Sequence, residues 1–119
     1  MSRYLELVGA GDVEGVLALF SDSASVEDPV GGPPGTHVVG LEAVATFFRN
    51  GFARSRPAPE LSGPIVTTGG DEAAMLFTLR LELRGRLFEL DVIDVVTFDA
   101  DGRIASLRAF WNLDEARPC

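Results

Sequence analysis

From Ala73 to Trp111 the apolar residues recur at every second position, and this period of two constrains the fold more than any other feature of the chain. Ala73, Met75, Phe77, Leu79, Leu81 and Leu83 form one face of an extended strand. Phe88, Leu90, Val92, Asp94, Val96 and Phe98 form one face of a second, and Ala105, Leu107, Ala109 and Trp111 one face of a third. Arg84-Gly85 and Asp101-Gly102 read as two-residue hairpin loops. With Leu83 opposite Arg86 and Ala100 opposite Arg103, all three apolar sets fall on the same side of one antiparallel meander. A bulge would shift that register locally.

The first half of the chain has helical spacing instead. Tyr4, Leu5, Leu7 and Val8 share a helix face that Gly9-Ala10-Gly11 stops, and Asp12 can cap a second helix burying Val13, Val16, Leu17 and Phe20. Ser25 to Asp28 reads as a short extended piece, because the residue before Pro29 is pushed out of the helical region. A Gly- and Pro-rich loop covers Pro29 to Val39. From Leu41, Val44, Phe47 and Phe48 share a third helix face, which Asn50-Gly51 ends, and a Pro-punctuated loop runs on to Pro64. Helices first and a curved meander after predict an α+β fold, with the helices packed on one face of the sheet and residues 1–119 forming one domain.

Composition removes several classes of function. Ten Lys and Arg against 18 Asp and Glu give a net charge of −8, the wrong sign for tracking phosphates, so neither nucleic acid nor an anionic membrane is an expected partner. Cys119 is the single cysteine, which excludes an intrachain disulfide and a thiolate metal cluster, and the single histidine, His37, lies in a Gly- and Pro-rich stretch, which argues against histidine-centred triads and metal sites. No signal peptide or membrane span is apparent, and a cytoplasmic location is expected. Eight Phe in an acidic chain of positive mean hydropathy suggest apolar surface that lines something besides a core. Chemistry is left to carboxylates, the one Tyr and the backbone.

Asp94 is the one ionisable group in its apolar series. The predicted register puts Met75 and Ala109 across from it, with Phe77 and Trp111 diagonal and no Lys or Arg on that face nearby. Desolvation without a cationic partner favours the neutral acid, a hydrogen-bond donor in an apolar pocket. The alternative is an edge or bulge that turns Asp94 to water. Asp28 sits beside Glu27 and before Pro29, either as an ionised carboxylate or as an ordinary Asp-Pro turn residue. Tyr4 is either a functional hydroxyl or the amphipathic edge of a helix. Glu27 and His37 read as solvated loop residues.

Several segments then carry a resemblance. Arg3-Tyr-Leu-Glu-Leu-Val8, Gly11-Asp-Val-Glu-Gly-Val16, Val26-Glu-Asp-Pro-Val-Gly31, Leu90-Asp-Val-Ile-Asp-Val-Val-Thr-Phe-Asp99, Asp101-Gly-Arg-Ile104 and Ala109-Phe-Trp111 together resemble the ketosteroid isomerase family, the steroid Δ5-to-Δ4 isomerases of the NTF2-like, SnoaL-like superfamily. The match runs in order across nearly the whole chain. It implies a cone in which N-terminal helices cover a strongly curved sheet around an apolar cavity, and a homodimer formed through the sheet. Asp28 then matches the general base, Tyr4 and Asp94 the oxyanion hole, and Phe77, Leu107 and Trp111 the pocket lining. Phe20 and Phe48, also expected at the steroid pocket, stand where some members have Tyr residues that hydrogen-bond the oxyanion Tyr. The loop through Gly35-Thr36-His37 is slightly longer than in relatives, and the first helix begins almost at Tyr4.

The reaction so implied is isomerisation of a 3-oxo-Δ5-steroid to its conjugated Δ4 isomer, with no metal or organic cofactor. Three other readings use the same scaffold: a noncatalytic steroid or lipid carrier, a polyketide cyclase, and an epoxide hydrolase. An epoxide hydrolase would call for an Asp with Arg partners inside the cavity, and no Arg falls on the apolar faces of the meander.

Overall fold

The computed structural model describes residues 2–119. Helix α1 (Ser2–Ala10) and the short α2 (Val13–Leu17) lead into strand β1 (Phe20–Glu27), followed by β2 (His37–Val39) and the long helix α3 (Leu41–Ser55). Strands β3 (Ala58–Leu61), β4 (Val66–Thr67), β5 (Glu72–Leu83), β6 (Arg86–Phe98) and β7 (Ile104–Phe110) follow, then a 3₁₀ turn (Leu113–Glu115) and β8 (Arg117–Pro118). The strands form one curved, unclosed sheet in the order β2-β1-β7-β6-β5-β3, with β4 on β5 and β8 on β6. The architecture is the expected α+β arrangement, with the helices on the concave side.

The β5–β6 hairpin has the predicted register along its whole length, from Leu83↔Arg86 to Glu72↔Thr97. Arg84 and Gly85 both have positive φ, 53° and 76°, as a two-residue turn matched to the sheet's twist requires. In the β6–β7 ladder the expected pairs run from Ile93↔Phe110 to Thr97↔Ser106, and then the register slips to Phe98↔Ile104. The turn is a three-residue one, Ala100-Asp101-Gly102, in place of the expected two-residue loop: the Asp99 N–H donates to the Arg103 carbonyl at 2.8 Å, and the Asp99 Oδ1 accepts from the backbone N–H groups of Asp101 and Arg103 at 2.9 and 3.0 Å. Ala105 is therefore the extra residue, and Ile104 takes the inward place expected for it.

Five other expectations need correcting. The second helix stops at Leu17, and Phe20 opens β1 instead of closing that helix. The extended piece near Asp28 is the end of an eight-residue strand that pairs parallel to β7 through Val26↔Leu107. His37 lies in β2, and a stretch read as loop contains β3, an edge strand that tolerates Pro59 because no neighbour needs its missing N–H. Helix α3 runs through Gly51 to Ser55, because Phe52 continues the buried face and packs on Phe48 with ring centroids 5.7 Å apart. Arg56 ends it in the left-handed conformation, ahead of Pro57.

The core fills one end of the cone. Val16, Val26, Val44 and Val96 are fully enclosed, and each such side chain contributes about 1.5–3 kcal/mol relative to exposure. Leu79, Leu81 and Leu83 share the inward face of β5 but are only half-buried, since the helices do not close over that end. Among the described residues no helix is long and apolar enough to cross a membrane.

Candidate active site

A cavity of about 1350 Å³ occupies the open part of the cone. Tyr4, Asp28 and Asp94 all line it, although they come from α1, the residue after β1 and the middle of β6.

Tyr4 lies on the apolar side of α1 with Leu5, Leu7 and Val8. Its ring meets Phe20 and Phe48 edge-on, both with centroids 6.3 Å away, and Phe20 and Phe48 tilt against each other at 5.6 Å. These aromatic contacts hold the phenol without any hydrogen bond to its hydroxyl from the described residues. Burial raises the Tyr4 pKa well above 10.0, and the carboxyls of Asp94 and Asp28 push it further in the same direction. The hydroxyl therefore stays protonated and can donate.

Asp94 stands opposite Met75 and Ala109, the predicted pairs, and is 3% exposed. Among the described residues it has neither an ion pair nor a hydrogen bond. Burial raises its pKa well above 3.8, and the nearby Asp28 charge adds to the effect. Burial without an ion pair or a hydrogen-bond donor disfavours the charged form, so this carboxyl favours its protonated, donor form. Neither Tyr4 nor Asp94 has its polar end sealed into the core; among the described residues only the Ser21 hydroxyl is enclosed without a partner. Both donors open on the cavity.

Asp28 is half-buried and differently held. The Trp111 indole N–H donates to its Oδ1, its backbone N–H donates to the Thr36 carbonyl at 2.8 Å, and Val30 N–H donates to the Ala109 carbonyl at 2.9 Å. Desolvation raises its pKa, and the Trp111 hydrogen bond opposes that rise. One carboxyl thus has a donor that favours its charged form, while the other has none. A base that faces two neutral donors across an apolar space can take a proton from a carbon next to a carbonyl and stabilise the enolate oxygen that results.

Phe48, Phe77 and Trp111 line the cavity as expected. Phe20 and Leu107 do not. Phe20 backs the Tyr4 ring, and Leu107, 1% exposed, fills the closed end between Val26 and Val96, its neighbours in the ladder. Glu27 is not a solvated loop residue either: it lies in β1 and pairs with Arg108 at 3.3 Å. Phe47, Phe52 and Arg54 of α3 also line the cavity. Phe47 lies on the expected helix face, and reading the helix to its true end would have added Phe52, four residues after Phe48, and Arg54, seven after Phe47. Among the described residues no group of three or more His, Cys, Asp or Glu is placed to hold a metal ion.

Comparison with known proteins adds four relationships. The model of the SnoaL-like domain family matches residues 1–107. A steroid Delta-isomerase of Nocardioides simplex is 35% identical over 111 residues, covering 93% of this chain and 85% of the relative. An epoxide hydrolase, LasB, of Streptomyces lasalocidi is 30% identical over 96% of this chain, which spans only 40% of that protein. Among solved structures, RV0760c of Mycobacterium tuberculosis in complex with estradiol-17beta-hemisuccinate superposes with a TM-score of 0.87 at 29% identity, covering 98% of this chain and 93% of that one.

Proposed function

The chain belongs to the SnoaL-like domain family, and within that family we propose that it is a steroid Δ-isomerase, converting 3-oxo-Δ5-steroids to their conjugated Δ4 isomers. The observation that carries this reading is the difference between two carboxyls in one apolar cavity: Asp28 accepts a hydrogen bond from Trp111, while Asp94 is unpaired beside the Tyr4 ring cluster.

Asp28, ionised, removes a proton from the carbon between the carbonyl and the double bond. Electrons move onto the carbonyl oxygen to give a dienolate, and the Tyr4 hydroxyl and the protonated Asp94 carboxyl both donate to that oxygen. Asp28 then returns the same proton two carbons away, which restores the ketone in conjugation with the new double bond. Donors already aimed at the developing charge, in a cavity walled by Phe48, Phe77 and Trp111, lower the barrier without reorganising at the moment of reaction. All of these steps use groups of the chain itself. The isomerase relative and the steroid ester held by the RV0760c structure support a substrate of this class. The protein acts as a homodimer that pairs the outer faces of two sheets.

The relationship to an epoxide hydrolase favours a second reading, in which the carboxyls would position water against an epoxide. That chemistry lacks its Arg–Asp partnership here: Arg54 is the cation of the lining, and it pairs with no acid among the described residues.

The deciding measurement is ultraviolet absorbance of the conjugated enone formed from 5-androstene-3,17-dione. Catalysed enone formation that is lost in Asp28→Asn is the expected result. Steroid binding with no turnover would leave only a carrier, and hydrolysis of an epoxide with no enone formation would favour the second reading.

A further inference from the structure

The reacting groups stand at one end of the cavity, and its apolar lining continues far beyond them. Phe77, Leu79, Leu81 and Leu83 carry it along the concave face of β5. Met75 faces Asp94 across the ladder, and the eight residues from there to Leu83 amount to about 26 Å of strand contour. A fused four-ring nucleus measures roughly 9 Å from its carbonyl-bearing carbon to the far ring, as a zigzag of bonds near 1.5 Å. The nucleus alone leaves the Leu79–Leu83 part of the wall without a ligand.

Helix α3 forms the wall opposite. Its start is tied to β1 by the Gly40 N–H donating to the Ala24 carbonyl at 2.8 Å, and its end leads into β3, where Pro59 pairs with Leu79. Arg54 therefore belongs to the β5 side. The lining acids Asp22 and Glu42 belong to β1 and to the first turn of α3, and Glu42 is about 18 Å from Arg54 along the helix axis. Arg54 is the one cation among the described lining residues and makes no ion pair among them.

Resting on the isomerase reading, we propose that the substrate is a 3-oxo-Δ5 steroid that keeps an aliphatic side chain ending in a carboxylate. The rings lie between the Tyr4–Asp94 donors and Phe77, the chain follows Leu79, Leu81 and Leu83, and the carboxylate pairs with the Arg54 guanidinium. A planar fork of N–H donors suits a carboxylate better than any other cationic side chain does.

The test is equilibrium binding, near pH 7, of three Δ4 ketones to the wild type, Arg54→Gln and Arg54→Lys: 3-oxo-4-cholenoic acid, its methyl ester, and 4-androstene-3,17-dione. The acid should bind the wild type about tenfold more tightly than the ester, the usual worth of a charged hydrogen bond at a partly wet site. Arg54→Gln should abolish that preference by weakening the acid alone, and Arg54→Lys should keep part of it. The ester should bind more tightly than the dione in all three proteins. Equal binding of acid and ester to the wild type overturns the proposal, as does equal binding of ester and dione, or no binding of any of them. Equal weakening of all three ligands by Arg54→Gln also overturns it, because that is the result if Arg54 only complements the carbonyls at the end of α3. The isomerase reading fails separately, as absence of enone formation while the ligand preferences stand.

Discussion

The Trp111 indole N–H donates to the Asp28 carboxylate across 83 positions of sequence, joining the residue after β7 to the residue after β1. No group among the described residues does the same for Asp94. Two carboxyls in one cavity thus receive opposite treatment, and their titration should differ accordingly.

Removing the base should cost most. Asp28→Asn should lower turnover by several powers of ten with steroid affinity preserved, whereas Asp94→Asn, whose amide still donates, should be the milder change. Asp94→Ala leaves the oxyanion short of one donor, a loss of about 10² to 10³ in rate. Steady-state turnover of the three variants on one steroid near pH 7 checks the order. Asp94→Asn as damaging as Asp28→Asn would remove Asp94 from the donor role.

With Asp28 as the base, the acid limb of the pH profile should belong to it. Burial raises its pKa and the Trp111 hydrogen bond lowers it. Activity of the free enzyme should fall as pH drops through that raised value. Trp111→Phe deletes the lowering contribution, so its kcat/KM limb should move to higher pH. A limb at the same pH in both proteins would mean that the indole does not act on Asp28.

Tyr4→Phe keeps the ring contacts with Phe20 and Phe48 and removes only the hydroxyl. It should lower kcat with little change in steroid affinity, the signature of an interaction made in the transition state. Unchanged turnover would show that the hydroxyl never reaches the oxyanion.

Asp94 also makes stability depend on pH. Its folded-state pKa lies well above its ordinary value of 3.8, so the folded protein holds that proton more tightly than the unfolded chain does. The associated stability is complete below 3.8 and is lost as pH rises through the folded pKa. Asp94→Asn cannot undergo that loss. Its Tm should therefore gain on the wild type from pH 4 towards pH 8; a constant difference would contradict a buried neutral acid.

The outer face of the sheet exposes Leu76 (44%), Leu87 (54%), Ile93 (43%) and Phe110 (41%). Patches of this kind mark interfaces. Light scattering should report a particle twice the 12.7 kDa of one chain, and Ile93→Glu should halve it. A monomer at micromolar concentration would oppose the dimer.

The meander was legible because Leu83↔Arg86 rests on local turn chemistry and because one slipped residue would have turned every apolar side chain to water. It placed Asp94 correctly opposite Met75 and Ala109. Strand β1 was not legible: Ser21, Asp22, Ser23 and Ser25 interrupt its apolar residues, and its partner β7 lies some 80 positions away. The Asn50-Gly51 stop is a local preference that the packing of Phe52 overrides, which hid Arg54. The link from Asp28 to Trp111 has no signal in either neighbourhood, because it exists only once β1 and β7 are side by side.

Tyr4, proposed as one of two oxyanion donors, rides on α1, a helix of nine residues with no acidic group in its first turn and no basic group in its last. A segment that short does not stay helical in water, and its exposed Arg3–Glu6 pair adds only about 0.2–0.5 kcal/mol. What keeps it is the docking of Tyr4, Leu5, Leu7 and Val8 onto the rest of the molecule. Local opening of this one element would carry the phenol away while the twelve-pair β5–β6 ladder stayed intact. Catalysis then reports on a sub-global equilibrium: in mild denaturant, turnover disappears before the circular dichroism of the sheet, in step with hydrogen exchange at the amides of Leu7 and Val8.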